Sequence, residues 1–111
     1  MTNFENNTHT GNYSQWVEGK IMTEGNTRLI ENTLGLVGEA GEIAEKIKKL
    51  IRDNTWIETQ DIVKELGDVA FYLTALANYF GSDLTDVLDI NMNKLNDREE
   101  RGVLSGSGDN R

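Results

Sequence analysis

Glu39-Ala-Gly-Glu42 and Glu65-Leu-Gly-Asp68 are two acidic pairs with 22 residues between them, each on a stretch whose apolar residues recur at helical spacing. Positions i and i+3 of a helix share a face one turn apart, so each pair aims two carboxylates in one direction. If the two helices pack antiparallel, four carboxylates converge on one point. Such a cluster repels itself unless a hard cation sits inside it, and Mg²⁺ is the expected occupant, with Mn²⁺ as a substitute ion. Mg²⁺ held by side-chain oxygens points to phosphate chemistry. The competing account is a solvated helix face, on which Glu42 pairs with Lys46 and Glu45 with Lys49 one turn on. The glycines weigh against it. Gly35, Gly38 and Gly41 lie beside Glu39 and Glu42, and Gly67 separates Glu65 from Asp68. Each glycine inside a helix costs about 0.8–1 kcal/mol relative to alanine. Close helix approach, or a ligand beside the carboxylates, would account for that cost.

Other metal chemistries fit poorly. A di-iron bundle needs Glu-x-x-His on two helices, and the single histidine, His9, lies in a polar lead-in. No 12-residue run has the alternating acids of an EF-hand, and no phosphate-binding Gly-x-x-x-x-Gly-Lys-Ser/Thr loop occurs. With no Cys, disulfides, thiolate ligands and thiol nucleophiles are excluded. The formal charge of −8 argues against a nucleic-acid or anionic-membrane binder, because phosphate backbones call for a basic surface. The polar first residues and the shortness of the apolar run Val69–Phe80 imply neither a signal core nor a membrane span, so a cytoplasmic protein is expected.

The elements that must hold the acids in place read as helices throughout. Pro is absent, and no segment alternates as a strand does. Residues 1–12 form a loose lead-in, 13–102 a helical domain and 103–111 a Gly-rich tail. A short helix is expected from Tyr13 to about Met22, with Tyr13, Trp16, Val17 and Ile21 on or near one face. A long second helix runs from about Thr27, capped by Asn26 or Thr27, to Arg52. Its inward stripe is Leu36, Val37, Ala40, Ile43, Ala44, Ile47, Leu50 and Ile51. The third spans about Thr59 to Phe80, with Ile62, Leu66, Val69, Leu73, Leu76 and Phe80 broadened by Val63, Ala70 and Ala77. Gly81-Ser82 breaks the chain, and Asp83 with Asp86 has the look of an N-terminal cap for a fourth helix ending near Arg101-Gly102. The class is all-α, a compact four-helix bundle-like arrangement. The second and third helices carry more apolar positions than one packed stripe needs, which predicts a homo-oligomer, a tetramer ahead of a dimer.

Around the acids, Asn91, Lys94 and Arg98 fall at i, i+3 and i+7, on one face of the fourth helix. The two cations there suit phosphate oxygens, or else a solvated helix end where positive charge favours the dipole. Tyr72, one turn beyond Asp68, extends the acidic face and offers a ring to stack on a base; core packing is the competing fate.

The acid spacing, together with Leu34-Gly-Leu-Val-Gly-Glu-Ala-Gly-Glu-Ile-Ala-Glu45, Lys64-Glu-Leu-Gly-Asp-Val69, Asn91-x-x-Lys94-Leu95-x-x-Arg98 and the ending from Arg101 to Arg111, resembles the MazG-like all-α nucleoside triphosphate pyrophosphohydrolases. The resemblance covers roughly residues 27–111. It implies Mg²⁺-dependent cleavage of a nucleoside or deoxynucleoside triphosphate between the α and β phosphates. Glu39, Glu42, Glu65 and Asp68 would hold the metal, one of them also taking a proton from the attacking water. Asn91, Lys94, Arg98 and Tyr72 would contact the nucleotide. In the expected oligomer the tail would fold over it, with Asp109, Asn110 and Arg111 ordered by the ligand or by a neighbouring subunit. Two alternatives stay open on the residues: a non-catalytic acidic interaction module, and a hydrolase of another pyrophosphate-linked nucleotide metabolite.

Overall fold

The computed structural model describes residues 8–103, 106, 108 and 109, and all its regular structure is helical: α1 (His9–Lys20), α2 (Gly25–Asp53), α3 (Thr59–Tyr79) and α4 (Leu84–Glu100). The first helix begins four residues before the expected Tyr13. Thr8 stands in extended conformation at its N-cap, and its hydroxyl accepts the Gly11 N–H at 2.9 Å. A Thr in a polar run thus starts a helix that takes in His9–Asn12, part of the expected lead-in. The second helix also starts early, at Gly25, with Glu24 at its N-cap and no side-chain cap bond, so neither Asn26 nor Thr27 caps it. It stops where expected, at Asn54, which turns left-handed with φ 53°. Gly81 (φ 77°) makes the break before α4, and Asp83 caps that helix by accepting the Asp86 N–H at 2.9 Å.

The tight part of the molecule lies where α1, the C-terminal half of α3 and the start of α4 meet. Val17 and Ala75 are fully buried there, beside Ser14, Thr74, Asn78 and Asp83. A polar network closes this junction. Asn78 donates its side-chain amide to the Ser14 carbonyl (3.0 Å), and the Ser14 hydroxyl accepts the Leu84 N–H and donates to the Thr10 carbonyl (2.9 Å each). Arg28 at the start of α2 grips the Glu18 carboxylate of α1 with both guanidinium nitrogens, at 2.6 and 2.9 Å, and lies over the Tyr79 ring.

The long helices pair differently. α2 packs along α3 as an antiparallel arm, and much of the expected inward stripe is open: Val37, Ile51, Leu66 and Phe80 are each more than half exposed. The Cα radius of gyration, 16.6 Å, exceeds the roughly 13 Å of a compact domain of this length. The chain is therefore the all-α, four-helix protein the periodicity suggested, with one closed corner and one open arm.

Candidate metal centre and the elements around it

The acidic pairs meet on the arm. Glu39 of α2 and Glu65 and Asp68 of α3 bring one carboxylate oxygen each to within 4.8 Å of one another. The antiparallel register does this, because Gly35 faces Tyr72 while Glu39, one turn on, reaches the Glu65–Asp68 turn. Glu39 and Glu65 are half-buried and Asp68 is exposed. Loss of hydration, a hydrogen bond shared with Glu65 and the negative charges of Asp68, Glu65 and Glu42 hold the Glu39 carboxyl above the usual carboxylate range. Lys46 is the cation that reaches the cluster, at 4.0 Å from Glu65. It crosses to α3 instead of pairing with Glu42 on its own helix, and Glu45 pairs with Lys48 at 3.5 Å. The solvated-face account offered Glu42–Lys46 and Glu45–Lys49 as its pairs; the contacts present are Lys46–Glu65 and Glu45–Lys48. Three crowded carboxylates with one ammonium at the limit of contact form a donor set suited to a hard divalent cation.

Glu42 stands outside this triad. It is exposed and lines an open concavity of about 440 Å³ with Gly38, Gly41, Glu45, Lys46 and Lys49. The glycines divide likewise. A Cβ on Gly35 would lie 2.4 Å from the Tyr72 ring, so this glycine exists for close approach. Gly38, Gly41 and Gly67 meet open space, so helix packing within the chain does not account for them.

Tyr72 thus sits in a hollow of α2 one turn from Asp68, half-buried, with Phe71 edge-on at 5.4 Å. Trp16 meets Phe71 edge-on and stacks on Tyr13, which gives a run of four aromatic rings from α1 to α3. Burial first, then the charge of Asp68, raise the Tyr13 hydroxyl's pKa. Sequence reasoning assigned Tyr13 only to an inward face and overlooked Phe71; helix packing across the arm, not spacing along it, decides both.

Asn91, Lys94 and Arg98 lie on α4, which packs on α1 and α3. Asn91 is exposed. Lys94 and Arg98 converge on the tail instead of on the carboxylates. Lys94 holds the Asp109 carboxylate at 3.2 Å; Arg98, only 4% exposed, donates to the Gly108 carbonyl at 3.4 Å and to the Asp109 carbonyl. The two cations keep the Asp109 carboxyl below its usual range. Asn110 and Arg111 lie outside the described residues.

Comparison with known proteins gives the chain a family. No solved structure matches the chain. Gene 37 protein of Mycobacterium phage L5 is 53% identical over 83 residues, covering 71% of this chain and 73% of its own length. The family described as the MazG nucleotide pyrophosphohydrolase domain matches residues 28–103, which take in both acidic pairs and the Asn91–Arg98 face. Spanning most of the chain, that match shows that this protein belongs to the MazG nucleotide pyrophosphohydrolase domain family.

Proposed function

We propose that this protein cleaves a nucleoside or deoxynucleoside triphosphate between its α and β phosphates, releasing the monophosphate and pyrophosphate, with Mg²⁺ as the working ion and Mn²⁺ as a substitute. The carrying observation is the triad of Glu39, Glu65 and Asp68, whose oxygens gather within 4.8 Å on two antiparallel helices. Those three residues, with Glu42 adding a fourth carboxylate from the same face of α2, would hold the ion. Once bound, the ion offsets the negative charge that builds on the phosphate oxygens. The chain's own groups supply the rest. A carboxylate of the cluster accepts a proton as water oxygen bonds to the α-phosphorus and the bond to the bridging oxygen breaks. Lys94 and Arg98 bind phosphate oxygens, a role supported by the oxyanion they already hold, the Asp109 carboxylate. Asn91 donates to a phosphate or the sugar, and Tyr72 offers its ring to the base.

The same reading makes the active form a homo-oligomer, a tetramer ahead of a dimer, working in the cytoplasm on free nucleotides and not on nucleic acid. The support is the apolar surface left open on the arm, with Ile30, Leu34, Val37 and Val63 each about half exposed or more. Among the described residues no helix is long and apolar enough to cross a membrane.

The test is pyrophosphate release from a panel of ribo- and deoxyribonucleoside triphosphates with and without Mg²⁺ and Mn²⁺. Metal-dependent release from at least one triphosphate is expected. A folded protein that releases none would defeat the reading and leave an acidic interaction module, and release only from a different pyrophosphate-linked nucleotide would reassign the substrate. Light scattering at micromolar concentration tests the assembly, and a stable monomer would overturn it.

A further inference from the structure

Helix α4 ends in a reversal that returns the chain to its own side. Gly102 turns left-handed (φ 73°), its N–H donates back to the Glu99 carbonyl at 3.1 Å, and the Val103 N–H donates to the Arg98 carbonyl at 2.8 Å. Beyond this turn Gly108 and Asp109 lie against α4 again, on the face that Lys94 and Arg98 share one helical turn apart. Asp109 Oδ1 stands between the two cations, 3.2 Å from Lys94 Nζ and 3.6 Å from Arg98 Nη2. The same Arg98 nitrogen donates to the Gly108 carbonyl at 3.4 Å and to the Asp109 carbonyl. One oxyanion oxygen shared by a lysine and an arginine is how these side chains receive a phosphate. The contact is lopsided. The Arg98 side chain is 4% exposed and the Asp109 side chain 84%, so the tail covers the arginine without being covered in return. Asp109 can leave without disturbing the closed corner.

We infer that Asp109 is an internal stand-in for a substrate phosphate: in the bare chain its carboxylate occupies the oxyanion seat of Lys94 and Arg98, and a phosphate ligand binds there by displacing it. The inference rests on the phosphate role proposed above for these two cations and adds the competition that governs it. A carboxylate and a phosphate seek the same charge-assisted hydrogen bonds, and two anions on one pair of cations repel each other. The tethered carboxylate brings a single charge to an exposed ion pair, a weak hold. A polyphosphate brings several charges and more oxygens, so it prevails once its concentration suffices. Until then the tail lowers the apparent affinity by the fraction of molecules whose seat is filled. Two other roles for the tail predict different behaviour. A clasp that only steadies the end of α4 leaves anion affinity unchanged when Asp109 is removed, and a tail that closes over the ligand makes binding weaker.

The test is the affinity of the full, metal-free chain for inorganic pyrophosphate, measured by calorimetry on folded wild type, Asp109→Ala, Asp109→Glu and Asp89→Ala. Asp89 is exposed on the same helix, so its variant makes the same change in net charge away from the seat. We expect Asp109→Ala to bind about threefold more tightly or better, with Asp109→Glu and Asp89→Ala closer to wild type than that. A smaller gain in Asp109→Ala, weaker binding, no binding by any of the four, or an equal gain in Asp89→Ala would overturn the inference. A second measurement needs no variant. Wild-type protein is titrated with pyrophosphate while the backbone amide of Gly108 is followed by NMR relaxation. Release of the tail should make that amide more mobile as the seat fills; an amide as rigid at saturation as before would overturn the displacement. Turnover is read separately on the nucleotide panel. A protein that hydrolyses nucleotides without this competition keeps its proposed function and loses the internal competitor, and one that shows the competition yet releases no pyrophosphate does the reverse.

Discussion

The two halves of α3 live in different surroundings. Its C-terminal half, Thr74 to Asn78, is largely buried between α1 and α4, and Asn78 and Ser14 tie the elements of that corner together through hydrogen bonds. Its N-terminal half, which carries Glu65 and Asp68, leaves Val63 and Leu66 about half exposed beside three carboxylates that repel one another. One half holds the helices at a fixed angle. The other presents unsatisfied charge and unfilled apolar surface, which costs stability in the bare chain and is available to ligands and partners. Stability and chemistry are thus separated along a single helix, and substitutions should separate them too.

The largest effect should come from the charged half. Asp68→Asn and Glu42→Gln should each lower metal-dependent pyrophosphate release about a hundredfold or more, with helical circular dichroism unchanged. Most of the activity surviving in both would dissolve the contrast, since the acids would then be ordinary surface charge. Next is the hollow that seats Tyr72. Gly35→Ala drives a methyl into the ring, so we expect a loss of about 1–2 kcal/mol by chemical denaturation and a raised KM for nucleotide. Asp83→Ala probes the closed corner. Removing a fully buried cap should cost about 1–2 kcal/mol while the metal dependence of turnover is retained, and altered metal affinity would show that the two regions are coupled. Gly41→Ala, where a Cβ meets open space, should add about 0.5–1 kcal/mol to stability; if activity falls in that variant, the glycine serves a ligand or a neighbouring subunit.

The smallest effect is a pH response with opposite signs in the two regions. Glu39 has its folded pKa raised, so metal-free protein should gain stability as pH falls from neutral through that raised value toward the ordinary 4.5. Glu18, whose pKa the bond to Arg28 lowers, contributes stability that is present above 4.5 and is lost as pH falls through its depressed value. Melting temperature against pH should therefore rise and then fall on acidification. Saturating Mg²⁺ should flatten the rise and spare the fall; a rise that persists in Mg²⁺ would place its origin away from the cluster.

The helices and the acidic faces were legible in the sequence because both depend on neighbours three and four residues apart. Glu39-x-x-Glu42 and Glu65-x-x-Asp68 had to share faces once the segments were helical, and Asn54, Gly81 and Asp83 marked their ends through local backbone preference. The start of α1 was misjudged because Thr8 caps it from within a run of Asn and Thr that reads as loop. Other facts had no local signature. That Lys46 crosses to Glu65, that Arg98 is buried holding the tail, and that the Tyr13 hydroxyl feels the charge of Asp68 all follow from register and approach between segments. Periodicity fixes which residues share a face, whereas the partner of that face depends on packing across segments remote in the chain. That is why the sequence determined an all-α protein with paired carboxylates, and only the tertiary structure decided that the stripe of α2 stays open and that three acids, not four, meet in the bare chain.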